Sequence, residues 1–128
     1  MIEIVPGLFH ATLSESENSR LLNTLGISGI LCCGEEIFNK NHSLYEYTQL
    51  AVKNKRQHQW IFPFFDKAAS VINEFLKNGK KIVVHCDNTK HRSSALVSAF
   101  LIKYRGMTVS ETAKALRTKI KSNFVKQL

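Results

Sequence analysis

The chain has 128 residues, 44% of them hydrophobic, and 18 Lys+Arg against 10 Asp+Glu give it a formal net charge of +8. That length holds one domain with a modest core, and that apolar content excludes an intrinsically disordered chain. No apolar run is long enough to cross a bilayer, and Met1-Ile2-Glu3-Ile4 lacks the basic and apolar regions of a signal peptide.

In chain order, residues 2–4 and 8–11 read as short strands around a Pro6-Gly7 turn. Ser14 or Ser16 is expected to cap a helix that runs to about Thr24 and stops at Gly26. Residues 27–33 and 45–52 read as strands, and residues 53–61 as a polar, basic loop. Pro63 is expected to open a helix, with Phe64, Phe65, Ala68, Ala69, Val71, Ile72, Phe75 and Leu76 mostly on its core-facing side; Gly79 ends it. Residues 82–84 are all apolar, the mark of a central strand. Residues 93–104 form a further helix ended by Gly106. Thr108 and Glu111 suit a capping box for a last helix over residues 109–119. Strands alternating with helices predict an α/β fold: a single domain over residues 1–128, with a central, mostly parallel twisted sheet of about four to five strands flanked by helices.

The segment from Lys81 to Ser94 carries the chemistry. A β-branched run delivers His85 and Cys86 into a polar loop, Asp87-Asn88-Thr89-Lys90-His91, and Arg92 and Ser93 then lead into a helix. The loop amides and the helix N-terminus favour an anion there, and a tetrahedral phosphate suits such a site. A thiolate is the nucleophilic form of cysteine, and a helix N-terminus with a nearby cation lowers a thiol pKa to roughly 3.5–7.5 in documented cases. Arg92 offers a planar fork for two phosphate oxygens, which Lys90 does not. The Ser93 hydroxyl is placed to hydrogen-bond the sulfur, and His85 is expected to orient the loop by bonding backbone carbonyls. The expected reaction is phosphoryl transfer to Cys86, followed by hydrolysis of the thiophosphate.

His-Cys, five residues, then Arg-Ser is the signature of the cysteine-based protein tyrosine phosphatase superfamily, and the chain resembles its small dual-specificity phosphatases at His85, Cys86, Arg92 and Ser93. The resemblance extends to residues 4–9, 25–31, 47–52, 106–113 and 123–128, in the family's order. It departs from the family twice. Thr89 stands where the family has a glycine, whose freedom at positive φ a β-branched residue lacks. The family's general acid is an aspartate about thirty residues before the cysteine. Here that position falls on Asn54 or Lys55, neither of which supplies an acidic proton at neutral pH. His58 on the same loop is a candidate substitute, and Asp66 is expected on the following helix.

The function implied is a cysteine-dependent phosphatase acting on phosphotyrosine, and on phosphoserine or phosphothreonine as well, slowed by the missing acid. Two alternatives stand beside it: a pseudophosphatase that binds phosphate without turning it over, and an RNA 5′-triphosphatase or phosphoinositide phosphatase. A phosphorylated protein is the expected partner, with anionic lipid or RNA as candidates for a basic rim built from Lys53, Lys55, Arg56, Lys80, Lys81 and Lys90. Lys114, Arg117, Lys119 and Lys121 read instead as a solvated helix face.

Cys32, Cys33 and Cys86 cannot all pair and show no metal-ligand spacing, so neither metal nor cofactor is expected and a reducing cytoplasm is the natural compartment. The resemblance makes Cys33 a redox candidate, able to trap Cys86 as a disulfide. Trp60 is expected to anchor the acid loop. Glu35 and Glu36 follow the first buried strand with nothing acidic converging on them, which argues against a catalytic carboxylate pair.

Overall fold

The structure, a computed structural model, describes residues 1–55, 58–87 and 91–127. Strands β1 (Ile2–Val5) and β2 (Leu8–Ala11) form a hairpin, and Gly7 takes φ +89° at its turn, where a side chain would strain the backbone. After β2 the expected single helix is two. A one-turn helix, α1 (Leu13–Ser16), is capped by Thr12, whose hydroxyl accepts from the Glu15 amide while the Glu15 carboxylate accepts from the Thr12 amide. A second, α2 (Ser19–Leu25), is capped by Asn18. The caps at Ser14 and Ser16 are therefore corrected: Thr12-x-x-Glu15 makes the stronger capping box, and Asn18 restarts the helix. Gly26, at φ 75°, ends α2.

Strand β3 (Gly29–Cys33) is buried throughout. Strand β4 (Glu46–Leu50) is shorter than expected because the Val52 amide turns back to donate to the Leu50 carbonyl at 2.8 Å. Residues 58–60 and 62–64 wind as 3-10 turns, so α3 (Phe65–Lys77) begins two residues after Pro63. Strand β5 (Ile82–His85) leads through the loop to α4 (His91–Arg105) and α5 (Val109–Gln127). The Thr108–Glu111 capping box opens α5 as the sequence implied, and the helix runs eight residues further than expected.

The five strands lie in the order β1-β2-β5-β3-β4, parallel except for the β1–β2 hairpin. Because side chains alternate across a sheet, β5 sends Ile82 and Val84 into one core and Val83 into another. The first core contains Ala68, Ala69 and Ile72 of α3, and Leu96, Val97, Phe100 and Leu101 of α4, with Leu116 of α5. The second contains Leu22 of α2 with Phe9, Ala11, Ile27 and Ile30. The same alternation continues to the strand ends. His10 and Cys86 face α4, where both meet Ser93, and His85 faces the opposite side.

Candidate active site

Cys86 follows directly on the middle strand, and its side chain is buried, at 0% exposure. The sulfur meets polar groups rather than hydrocarbon alone. It accepts from the Ser93 amide at 3.4 Å and contacts the Ser93 hydroxyl at 3.2 Å. It also lies 3.7 Å from the Asp87 carbonyl and 3.8 Å from the Asp87 carboxylate. Ser93 sits in the first turn of α4, where amides have no partner within the helix and the helix dipole is positive. The sulfur is thus held at a helix N-terminus, as the spacing of the motif implied.

Arg92 comes from the same turn, but its fork is engaged by carboxylates. Its Nη1 and Nη2 donate to Glu36 Oε1 and Oε2 at 2.7 and 2.6 Å, Nη2 lies 3.2 Å from Asp87 Oδ2, and Nη1 also donates to the Val52 carbonyl at 3.0 Å. Hydrogen bonding to Arg92 holds the Glu36 carboxyl below its usual range, and the same contact pushes the Arg92 guanidinium above its own. Gly34 leaves room for the approach: a Cβ there would stand 2.9 Å from Arg92 Nη1 and closer still to the Ile37 side chain. Glu36 is therefore a site residue that the sequence reading set aside.

His85 points to the other face of the sheet. Its Nδ1 donates to the Cys86 carbonyl at 3.0 Å, and its Nε2 accepts from the Asn39 side-chain amide at 3.0 Å. Burial lowers its pKa, which suits a neutral imidazole between one acceptor and one donor. Asn39 is held in turn by donating to the Ser16 hydroxyl at 2.9 Å. On the α4 face, His10 Nε2 lies 2.7 Å from the Ser93 hydroxyl, completing a buried line from His10 through Ser93 to Cys86. No local motif announces His10 or Asn39; His10 gave the signal of a polar residue among apolar ones in a strand, and Asn39, in the connection between β3 and β4, gave none.

The acid-loop segment runs beside the arginine, because the Val52 carbonyl that Arg92 binds lies two residues before Asn54. The Lys53 and Lys55 ammonium groups sit over the Trp60 ring, 4.9 and 5.8 Å from its centroid. Asp66 is on α3, as expected, and pairs with Lys103 at 3.1 Å. Lys103 stands eleven residues beyond Arg92 on α4, about 16 Å along the helix, so Asp66 does not reach Cys86. Lys80 and Lys81 enter the opposite end of β5, where Lys80 pairs with Glu46 and Lys81 bonds the Leu25 carbonyl. They are not part of a rim around the site. Lys114, Arg117 and Lys119 are exposed on α5.

Asn88, Thr89, Lys90, Arg56 and the side chains of His58 and Lys121 lie outside the described residues. His91 opens α4 and is exposed. Cys33 is a buried free thiol on β3, beside β5, and burial pushes its pKa well up. Among the described residues no cluster of three His, Cys, Asp or Glu side chains could hold a metal, and no helix is long and apolar enough to cross a membrane.

Comparison with known proteins identifies the family and the fold. Residues 8–128 match the family model "Dual specificity phosphatase, catalytic domain". The chain is 32% identical over 123 residues to the MAP kinase phosphatase with leucine-rich repeats protein 3 of Dictyostelium discoideum, covering 91% of this chain and 14% of that protein. It is 30% identical to the mouse dual specificity protein phosphatase 14, covering 94% of this chain and 62% of that one. Each of these relatives is thus longer than the stretch that matches. The crystal structure of the human tyrosine phosphatase-like serine/threonine/tyrosine-interacting protein superposes with a TM-score of 0.81 at 28% identity, covering 93% of this chain and 83% of that one. The chain belongs to the dual-specificity phosphatase family, within the cysteine-based protein tyrosine phosphatases.

Proposed function

We propose that this dual-specificity phosphatase domain hydrolyses phosphotyrosine, with phosphoserine and phosphothreonine as further substrates, in phosphorylated proteins. The Cys86 thiolate attacks phosphorus and forms an S–P bond as the bond to the leaving oxygen breaks. Water then cleaves the S–P bond, releasing inorganic phosphate and restoring the thiolate. The observation that carries this reading is the Cys86 sulfur seated 3.4 Å from the Ser93 amide, at the start of α4, with Arg92 in the same turn. Substrate phosphate replaces the carboxylates of Glu36 and Asp87 in the guanidinium fork, a bidentate exchange of one oxyanion for another. With Asn54 where an acid would stand, the leaving oxygen takes its proton from water. Lacking a general acid typically costs about a hundredfold to ten-thousandfold, and the loss is greatest for poor leaving groups.

The test compares an activated aryl phosphate with a phosphotyrosine peptide. Cys86→Ser should abolish turnover of both. Asn54→Asp should raise peptide turnover at least about tenfold and leave the activated substrate nearly unchanged. An unchanged peptide rate would show that residue 54 is not the acid position. Preference for a triphosphate-ended RNA or an inositol phosphate would overturn the protein-substrate reading.

A second reading, a phosphate-binding module without turnover, is favoured by the engagement of Arg92 with Glu36. The similarity to a human protein described as tyrosine phosphatase-like suits it too. Absence of turnover on every substrate, with inorganic phosphate still protecting Cys86 from alkylation, would establish that reading.

A further inference from the structure

His10 lies in β2, whose other residues, Leu8, Phe9 and Ala11, are apolar and buried; His10 itself is 2% exposed. A buried imidazole among such neighbours costs free energy unless its nitrogens are bonded. The register pairs His10 with Val84, two residues before Cys86 on the same face of the sheet. This sets its Nε2 2.7 Å from the Ser93 hydroxyl, which in turn lies 3.2 Å from the Cys86 sulfur. His10 and Ser93 are 83 residues apart in sequence and are brought together by the sheet and α4.

We propose that His10 is a positioning residue that acts through Ser93 to hold the Cys86 sulfur in its ionised form. The proposal rests on the thiolate reading above and names what sustains the thiolate. A hydroxyl has one hydrogen to give. With the imidazole proton on Nε2, His10 donates to Ser93 Oγ, and the Ser93 hydrogen turns to the sulfur. The thiolate then accepts from both the hydroxyl and the amide of Ser93, and the chain of donors polarises toward the negative charge. With the proton on Nδ1, Nε2 would draw the hydroxyl hydrogen to itself and turn oxygen lone pairs to the sulfur, which favours the neutral thiol. The histidine tautomer thus selects the state of the cysteine. Among the described residues, the charged and titratable groups that face the sulfur are Asp87 in the loop, Arg92 on α4, and Cys32 and Cys33 on β3. All four are left intact in the variants below.

The experiment measures iodoacetamide alkylation of Cys86 against pH, between about pH 5 and 9, with the labelled cysteine identified by peptide mass spectrometry. In His10→Leu the curve should move to higher pH, with alkylation on its rising limb slowed roughly tenfold. His10→Gln keeps an N–H donor near the Nε2 position and should restore most of the rate. Ser93→Ala should match His10→Leu, and the double variant should be no slower than Ser93→Ala. An unmoved curve in a folded His10→Leu protein overturns the proposal, as does a further loss of roughly tenfold in the double variant. Nitrogen-15 spectra of the unsubstituted protein give a readout that no variant's folding can spoil. They should show a proton on Nε2 of His10 while Cys86 is ionised, and a bare Nε2 overturns the proposal. Alkylation needs no substrate, so a failure here is separate from a failure of phosphatase activity.

Discussion

On the phosphatase reading proposed above, the Arg92 guanidinium is the residue on which phosphate affinity turns, and its bidentate partner is Glu36. The two are 56 residues apart in sequence, and Gly34 leaves room beside them for the guanidinium and the Ile37 side chain. Glu36 is half exposed, so solvent screening reduces a bidentate pair of this kind to about 1 kcal/mol. On that reading, substrate phosphate displaces it. Glu36→Gln should therefore tighten competitive inhibition by inorganic phosphate about fivefold, read from the inhibition constant on an aryl phosphate. Weaker inhibition would mean that Glu36 orients the arginine instead of competing for it. At this scale the sequence was legible where contacts are local: Cys86, Arg92 and Ser93 lie within eight residues, and the fold brings them together at the start of α4. Glu36 and His10 were illegible because no local pattern links a residue to a partner 56 or 83 positions away.

At the scale of elements, the fit of α3 on the sheet depends on Gly29. A Cβ at that position would run into the Phe75 ring, so the absence of a side chain at the start of β3 lets the helix sit down on the strand. Gly29→Ala should destabilise the fold by about 2 kcal/mol through overpacking, lowering the thermal midpoint by roughly 8 °C. A midpoint close to that of the parent would show that Phe75 swings aside freely. The strands and the three long helices were readable from the period of their apolar residues. The break between α1 and α2 was not, because residues 14–20 are all polar and carry no apolar period to mark it, and the Thr12 and Asn18 caps decided the boundaries. The end of β4 was missed for a similar reason. Apolar character continues through Leu50, Ala51 and Val52, whereas the Leu50–Val52 turn that frees a carbonyl for Arg92 is a matter of backbone geometry.

For the whole molecule, stability should fall in mild acid. Burial depresses the His85 pKa below its ordinary value of 6.5. The unfolded chain therefore binds a proton that the folded chain refuses as pH drops below about 6.5. The stability contributed by a neutral His85 is complete above that pH. It is lost on acidification down to the depressed folded value, with a slope approaching about 1.4 kcal/mol per pH unit. Denaturant midpoints measured against pH should show this limb, and His85→Gln should flatten it. A limb unchanged in that variant would assign the effect to another group.

The strand order has a further consequence, for the timing of synthesis. The middle strand is the last of the five to be made: β2 must wait for β5, whose residues pair with it across 74 positions. A chain leaving the ribosome therefore carries two strand pairs with no centre, each offering an open edge, until the segment bearing Cys86 emerges. Long-range parallel pairing of this kind is slow and exposed to misassociation. Completion of the sheet and arrival of Cys86 are one event, so a nascent chain halted before β5 has neither.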